Sequence, residues 1–300
     1  MRRLRWALGG VTILSVALLI GGCEAQVSGM PPAAEVTPQA PVPVLPQAPA
    51  VEVTAPFDGL EARTRQATDD AAQSGATIET AVLDRDTGQL VTNGNSQPFP
   101  IASVVKLFIA DDLLLQESQG ETELSAADRR SLDVMLRSSD DSAAQSFWDR
   151  SGGNAIISRI KARYGLAGTT APYNGHWDVT QSTATDLVRY YAMLLDGTGG
   201  LPREQADTIL SNLAQFTPSG NDGYPQRFGI PDGLSAEPVA VKQGWFCCWN
   251  GGNQLHVSTG AIGPDRRFVM AIGSLDPTDA ATARNNVTRA VKTMFPDGRI

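Results

Sequence analysis

The sequence predicts an α/β (α+β) domain: a five-stranded antiparallel sheet flanked by N- and C-terminal helices, with an inserted all-helical lobe. Two strand patterns, at 77–84 and 89–92, precede a long run of helical patterns, and three more, at 238–246, 254–262 and 267–274, follow it. Strands at both ends of a domain share one sheet most simply when the helices between them are an insertion. The 300-residue chain, 42% hydrophobic and 19% charged, also has the apolar content for a sizeable core.

The first 22 residues stand apart. Arg2, Arg3 and Arg5 precede the 15-residue apolar run from Trp6 to Ile20. A charged start, a short apolar middle and small residues before a cut site describe an export signal peptide over residues 1–22, too short to span a bilayer comfortably. Ile20-Gly21-Gly22-Cys23 resembles a bacterial lipobox, which implies lipid modification of Cys23 and anchoring to the outer face of the cytoplasmic membrane. Loss of the signal leaves 21 basic against 32 acidic residues, a net charge of −11. So acidic a domain argues against nucleic acid and against electrostatic attraction to anionic lipid.

Residues 24–56 contain eight prolines and little charge. With Cys23 they form a tether (23–56), which at roughly 3.1 Å per residue reaches about 100 Å. Globular texture starts at Phe57 and continues to 300, with the helical lobe at about 101–214. Leu60–Gln73 reads as an exposed amphipathic helix, Thr77–Asp84 and Gln89–Thr92 as a hairpin around Asp86-Thr87-Gly88. A buried helix follows, with Pro100 near its first turn and an apolar run after Lys106 to about Glu117. Helical patterns at about 126–138, 142–150, 154–163, 183–195 and 203–214 fill the lobe, and Asp279–Met294 closes the chain.

The chemistry-bearing residues lie in three segments. Ser103 and Lys106 are three apart, one turn of helix, which lets a desolvated amine take a proton from a hydroxyl. Ser139-Asp140-Asp141 follows one helix and opens another, where Ser and Asp also serve as N-caps. Lys242-Gln243-Gly244-Trp245 lies on a strand, where a lysine ordinarily faces water. In this order the three segments resemble the motifs of the serine β-lactamases and penicillin-binding proteins. The resemblance covers residues 57–300 and implies a β-lactamase/transpeptidase-like fold.

It also implies roles. Ser103 is the expected nucleophile, Lys106 its activator, Ser139 a proton carrier and Lys242 the support of that serine and a carboxylate attractor. The backbone amides of Ser103 and Trp245 are the expected oxyanion hole, with Asp141, Gln243, Gly244 and Trp245 binding substrate. Asp141 stands where the family usually has asparagine, and accepts only. Gln243 replaces the usual threonine and is expected to crowd the carboxylate pocket. The deacylating glutamate of class A β-lactamases has no counterpart, since no glutamate lies between Glu123 and Glu204. The corresponding loop, 169–181, has Asp178 as its only carboxylate, read as a helix cap rather than a base, before a helix that Ser182 could cap.

The expected activity is therefore acyl transfer at Ser103 on a cell-envelope peptide or ester, peptidoglycan-like by analogy. Two alternatives stay open: a non-catalytic lipoprotein that uses the fold as a binding module, and a β-lactamase with a non-class-A deacylation mechanism. His176 reads as a loop residue beside Trp177, and His256 as facing solvent or a strand neighbour. By residue type alone, Trp245, Phe246 and Trp249 suit the rim of a ligand groove or, the preferred reading, core and sheet packing. Cys247 and Cys248 are open to pairing, to burial as free thiols or to linkage with another chain. No metal-ligand spacing and no cofactor motif is evident.

Overall fold

The computed structural model describes residues 57–300; the signal peptide, Cys23 and the tether read from the sequence lie outside the described residues. The hairpin and the three late strands form one antiparallel sheet. Strand β1 (Thr77–Asp84) pairs with β2 (Leu90–Thr92), and β5 (Val239–Trp249), β6 (Asn253–Ile262) and β7 (Phe268–Asp276) complete the order β2-β1-β7-β6-β5. A second, two-stranded sheet joins β3 (Phe99–Pro100) to β4 (Gln181–Ser182).

Alternation along the strands sends side chains to two cores. On β7, Met270 and Ile272 join one core while Val269 and Ala271 join the other. The first core is closed by α1 (Leu60–Gln73) and α9 (Ala280–Met294), through residues such as Leu60, Ala67, Val287 and Val291. The second belongs to the helical lobe: α2 (Lys106–Ser118), α3 (Ala126–Arg137), α4 (Asp141–Arg150), α5 (Asn154–Tyr164), α6 (Ala184–Asp196) and α7 (Arg203–Ala214). A four-residue helix, α8 (Ile230–Gly233), precedes β5.

Helix α2 is the axis of the lobe. Every residue from Lys106 to Leu114 is buried, the pattern of a helix enclosed on all sides. Its two buried carboxylates are matched with cations, as burial requires. Asp111 meets Arg163, Tyr164 and Tyr190, and Asp112 takes both nitrogens of Arg159 at 2.7 Å.

Two local expectations are corrected. Pro100 is not in the first turn of the Ser103 helix but in β3, opposite Gln181, and Ile101 N donates to Thr180 O at 2.9 Å. Proline's fixed φ suits this short extended pair, and the helix starts two residues later as a 3-10 turn over Ala102–Val105. Helix α6 is capped by Thr183, whose hydroxyl accepts from Asp186 N, while Ser182 is spent in β4.

Candidate active site

Ser103 sits in the 3-10 turn that leads into α2, so its side chain and that of Lys106 share one side of the same turn. Lys106 Nζ lies 2.8 Å from Ser103 Oγ, 2.7 Å from Ser139 O, 3.2 Å from Ser139 Oγ and 2.5 Å from Asp141 Oδ1. From the opposite wall, Lys242 Nζ donates to Ser139 Oγ at 2.9 Å and to Gln243 O at 3.1 Å. Three segments far apart in sequence therefore meet in one chain of hydrogen bonds from Ser103 to Lys242.

The backbone at the Ser139 corner is built for that meeting. Ser139 adopts φ 58°, a left-handed conformation that non-glycine residues rarely hold. Asp140 caps α4, accepting from Ala143 N at 2.7 Å, which places Asp141 in the helix's first turn where the dipole favours its charge. The loop before α8 is latched to this corner: Thr217 N and Gln226 Nε2 donate to Arg137 O, and Asn221 N donates to Ser138 O at 2.6 Å.

Gly244 fixes how close the strand comes to the Ser103 turn. A Cβ there would lie 2.5 Å from Ile101 O and 3.3 Å from Ser103 N. Only hydrogen fits.

Burial sets the electrostatics. Lys106 and Lys242 are 0% and 1% exposed. Burial lowers the pKa of Lys106, against the pull of Asp141, which favours its charged form. Lys242 is held well below the usual lysine range, first by burial and then by the neighbouring charge of Lys106. The Lys106 ammonium also lies 4.8 Å from the Trp177 ring centre. The side chain of Asp141, by contrast, is 68% exposed.

A cavity of about 270 Å³ opens over Ser103. Asp141, Trp177, Asp178, Asp222, Trp245 and Phe246 share its lining with Ala102 and Ser103. Asp178 thus faces the cavity and does not cap α6, a correction to its reading as a cap. Trp245 and Phe246 likewise line the cavity. Asp222, absent from the sequence reading, accepts from Trp245 Nε1 at 3.1 Å, and Tyr224 stacks on Trp245 with centroids 5.0 Å apart. Only the Asp222-Gly223 turn signal marked this stretch, and a turn signal does not say where the loop lands.

Gln243 is the clearest departure from expectation. It is not among the residues that line the cavity, and its side chain is held on the strand face opposite Lys242. There its Nε2 donates to Gln226 O at 3.0 Å and Phe228 O at 2.6 Å. His256 is buried, not solvent-facing, with Nε2 2.7 Å from Tyr224 Oη, while His176 is exposed in its loop. Cys247 and Cys248, exposed at the end of β5, are bonded to each other. Among the described residues no cluster of metal-ligating side chains occurs and no helix is long and apolar enough to cross a membrane.

No family model matches the sequence. The protein named "Putative lipoprotein LppW" in Mycobacterium tuberculosis H37Rv is 56% identical over 309 aligned positions, covering 98% of this chain and 97% of its own. Its namesake in Mycobacterium bovis gives the same figures. The chain belongs to the LppW lipoprotein family. Its fold is that of the serine β-lactamases and penicillin-binding proteins. The structure of PBP-A superposes with a TM-score of 0.65 at 17% identity, covering 81% of this chain and 96% of that one. A single-site mutant of PBP-A, solved as an acyl-enzyme complex with penicillin G, gives 0.66 at 18% identity over 81% and 97%. A β-lactamase from Chitinophaga pinensis gives 0.62 at 17% over 78% and 98%. At such identities the likeness of these structures to this LppW-family chain is one of fold.

Proposed function

We propose that this lipoprotein is an exported serine hydrolase of the β-lactamase and penicillin-binding type. It would be cleaved after residue 22, lipidated on Cys23, held by the 23–56 tether at the outer face of the cytoplasmic membrane, and acylated at Ser103 by a cell-envelope peptide or ester. The observation that carries the reading is the unbroken line from Ser103 Oγ through Lys106 Nζ and Ser139 Oγ to Lys242 Nζ, every link 3.2 Å or shorter.

In this mechanism Lys106, in its neutral form, takes the Ser103 proton as Oγ attacks the carbonyl carbon. The backbone amides of Ser103 and Trp245 receive the oxyanion. Ser139, held by Lys242, hands its proton to the leaving group and regains one from Lys106, 3.2 Å away, which restores the neutral amine; water then releases the acyl group as acid and returns the proton to Ser103. Asp141 acts against the first step, since a carboxylate 2.5 Å from Nζ favours the ammonium. Asp178, a carboxylate that lines the same cavity as Ser103, is the candidate in this reading to activate the deacylating water.

Hydrolysis of an uncharged thioester tests the proposal. The wild-type protein is expected to turn it over, Ser103→Ala and Lys106→Ala to lose activity while keeping their folded circular dichroism. Turnover retained in Ser103→Ala would overturn it, and no turnover by the folded wild type would favour the binding-module reading.

A further inference from the structure

The walls of the Ser103 cavity have a charge pattern that names its occupant. Three carboxylates line it, on three elements: Asp141 at the start of α4, Asp178 in the 177–179 turn, and Asp222 in the loop latched to the Ser139 corner. No arginine, lysine or histidine is among the lining residues. The two site lysines do not offset this. Both are fully buried, Lys106 is paired with Asp141 at 2.5 Å, and Lys242 gives two of its three donors to Ser139 and Gln243. Arg284, the nearby guanidinium, lies over the Tyr224 ring, 5.3 Å from its centre, and does not reach the lining.

Two tryptophans share the lining. Trp177 and Trp245 both line the cavity, and Trp245 is fixed by its stack on Tyr224 and its bond to Asp222. Carboxylates beside indole rings in a partly closed cleft suit an ammonium group, chiefly through direct Coulomb pairing. The same walls repel a carboxylate, and neither buried lysine is among the residues that line the cavity.

We propose that the Ser103 cavity selects an acyl compound carrying an ammonium group next to the scissile carbonyl and rejects one carrying a carboxylate there. This deepens the Ser103 hydrolase reading and rests on it for the word substrate, but the charge preference itself is a property of binding. Free C-terminal carboxylates, as in a D-alanyl terminus, are then poor occupants, and peptides or esters with a basic group at the cut site are good ones. Asp178 and Asp222 are the residues that set the preference, since Asp141 is already engaged by Lys106.

Three amides of one length separate the cases: acetylglycine carrying 2-aminoethylamide (cation), 2-hydroxyethylamide (neutral) or glycine (anion). Trp177 and Trp245 report binding through intrinsic fluorescence, measured on the full chain with Ser103→Ala to prevent turnover. The expected order of affinity is cation, neutral, anion, with at least tenfold between the ends, shrinking as salt is raised. Asp178→Asn and Asp222→Asn are each expected to narrow the ratio severalfold. Equal affinities, an anion that binds best, or no binding of the cation would overturn the proposal. The matched thioesters, given to the wild-type protein, keep the two readings apart. If the order holds but none acylates Ser103, the hydrolase reading fails and the binding preference stands. If the neutral thioester acylates Ser103 with no charge order, the preference fails alone.

Discussion

Gly244→Ala tests whether the strand and the Ser103 turn are held at contact distance for a reason. The added Cβ would sit 2.5 Å from Ile101 O, whereas ordinary contact begins at 3.4 Å, so turn and strand must separate by 0.9 Å. The obstacle is backbone, not the end of a flexible side chain, and overpacking of this kind costs about 1–3 kcal/mol. At about 3 °C per kcal/mol for a domain of this size, the melting temperature is expected to fall by roughly 3–9 °C. Ser103 N lies 3.3 Å from the same Cβ, so Ser103 moves with the turn. A misplacement near 1 Å costs on the order of 100-fold in rate. Thermal denaturation and the rate of Ser103 modification by an uncharged fluorophosphonate measure the two effects. An unchanged melting temperature would refute the close-contact argument. A lowered melting temperature with an unchanged rate would refute the coupling of Gly244 to Ser103.

Other expectations follow from the electrostatics. Asp141→Asn removes the carboxylate that keeps Lys106 charged, so the lysine's pKa falls further and the pH–rate profile moves to lower pH. Lys106 is buried but Asp141 is 68% exposed, so solvent screens the pair and modification of Ser103 at neutral pH should rise severalfold; a slower rate would contradict this. Burial pushes Glu79 up to about 7. Its proton is held more tightly in the folded state, so stability present at acid pH is lost as pH rises from 4.5 to about 7, on the order of 3 kcal/mol. Burial of His256, with the nearby Arg284 charge, lowers it to about 4, so its contribution is present above pH 6.5 and is lost as pH falls. The two slopes oppose each other between pH 4.5 and 6.5. Glu79→Gln, which can still accept from Ala184 N, is therefore expected to gain stability above pH 7 and to show the acid-side loss alone; urea unfolding across pH 4–8 measures both.

Much of the fold was legible because its pattern is local. The β1 hairpin, the three late strands and α9 each carry their own periodicity, and the patterns at Leu60–Gln73 and Thr77–Asp84 match the structure to their ends. The convergence of Ser103, Lys106, Ser139 and Lys242 was legible because each falls in a short motif on a marked element. What was not legible depends on where one segment lies against another. Whether Gln243 faces cavity or core is decided by the register of β5 on β6 and by the carbonyls of Gln226 and Phe228. Pro100 suits a helix start and a short strand equally, and Gln181, far along the chain, decides between them. Asp222 enters the site only because Asn221 and Gln226 tie its loop to residues 137–138. His256 is buried by Tyr224 from that same loop.

The most direct measurement is peptide mapping of the protein after reaction with the uncharged fluorophosphonate, beside Ser103→Ala. A single adduct on Ser103, absent from the variant, is the expected result. A folded protein left unmodified, or modified equally in Ser103→Ala, would contradict the claim that Ser103 is an activated nucleophile.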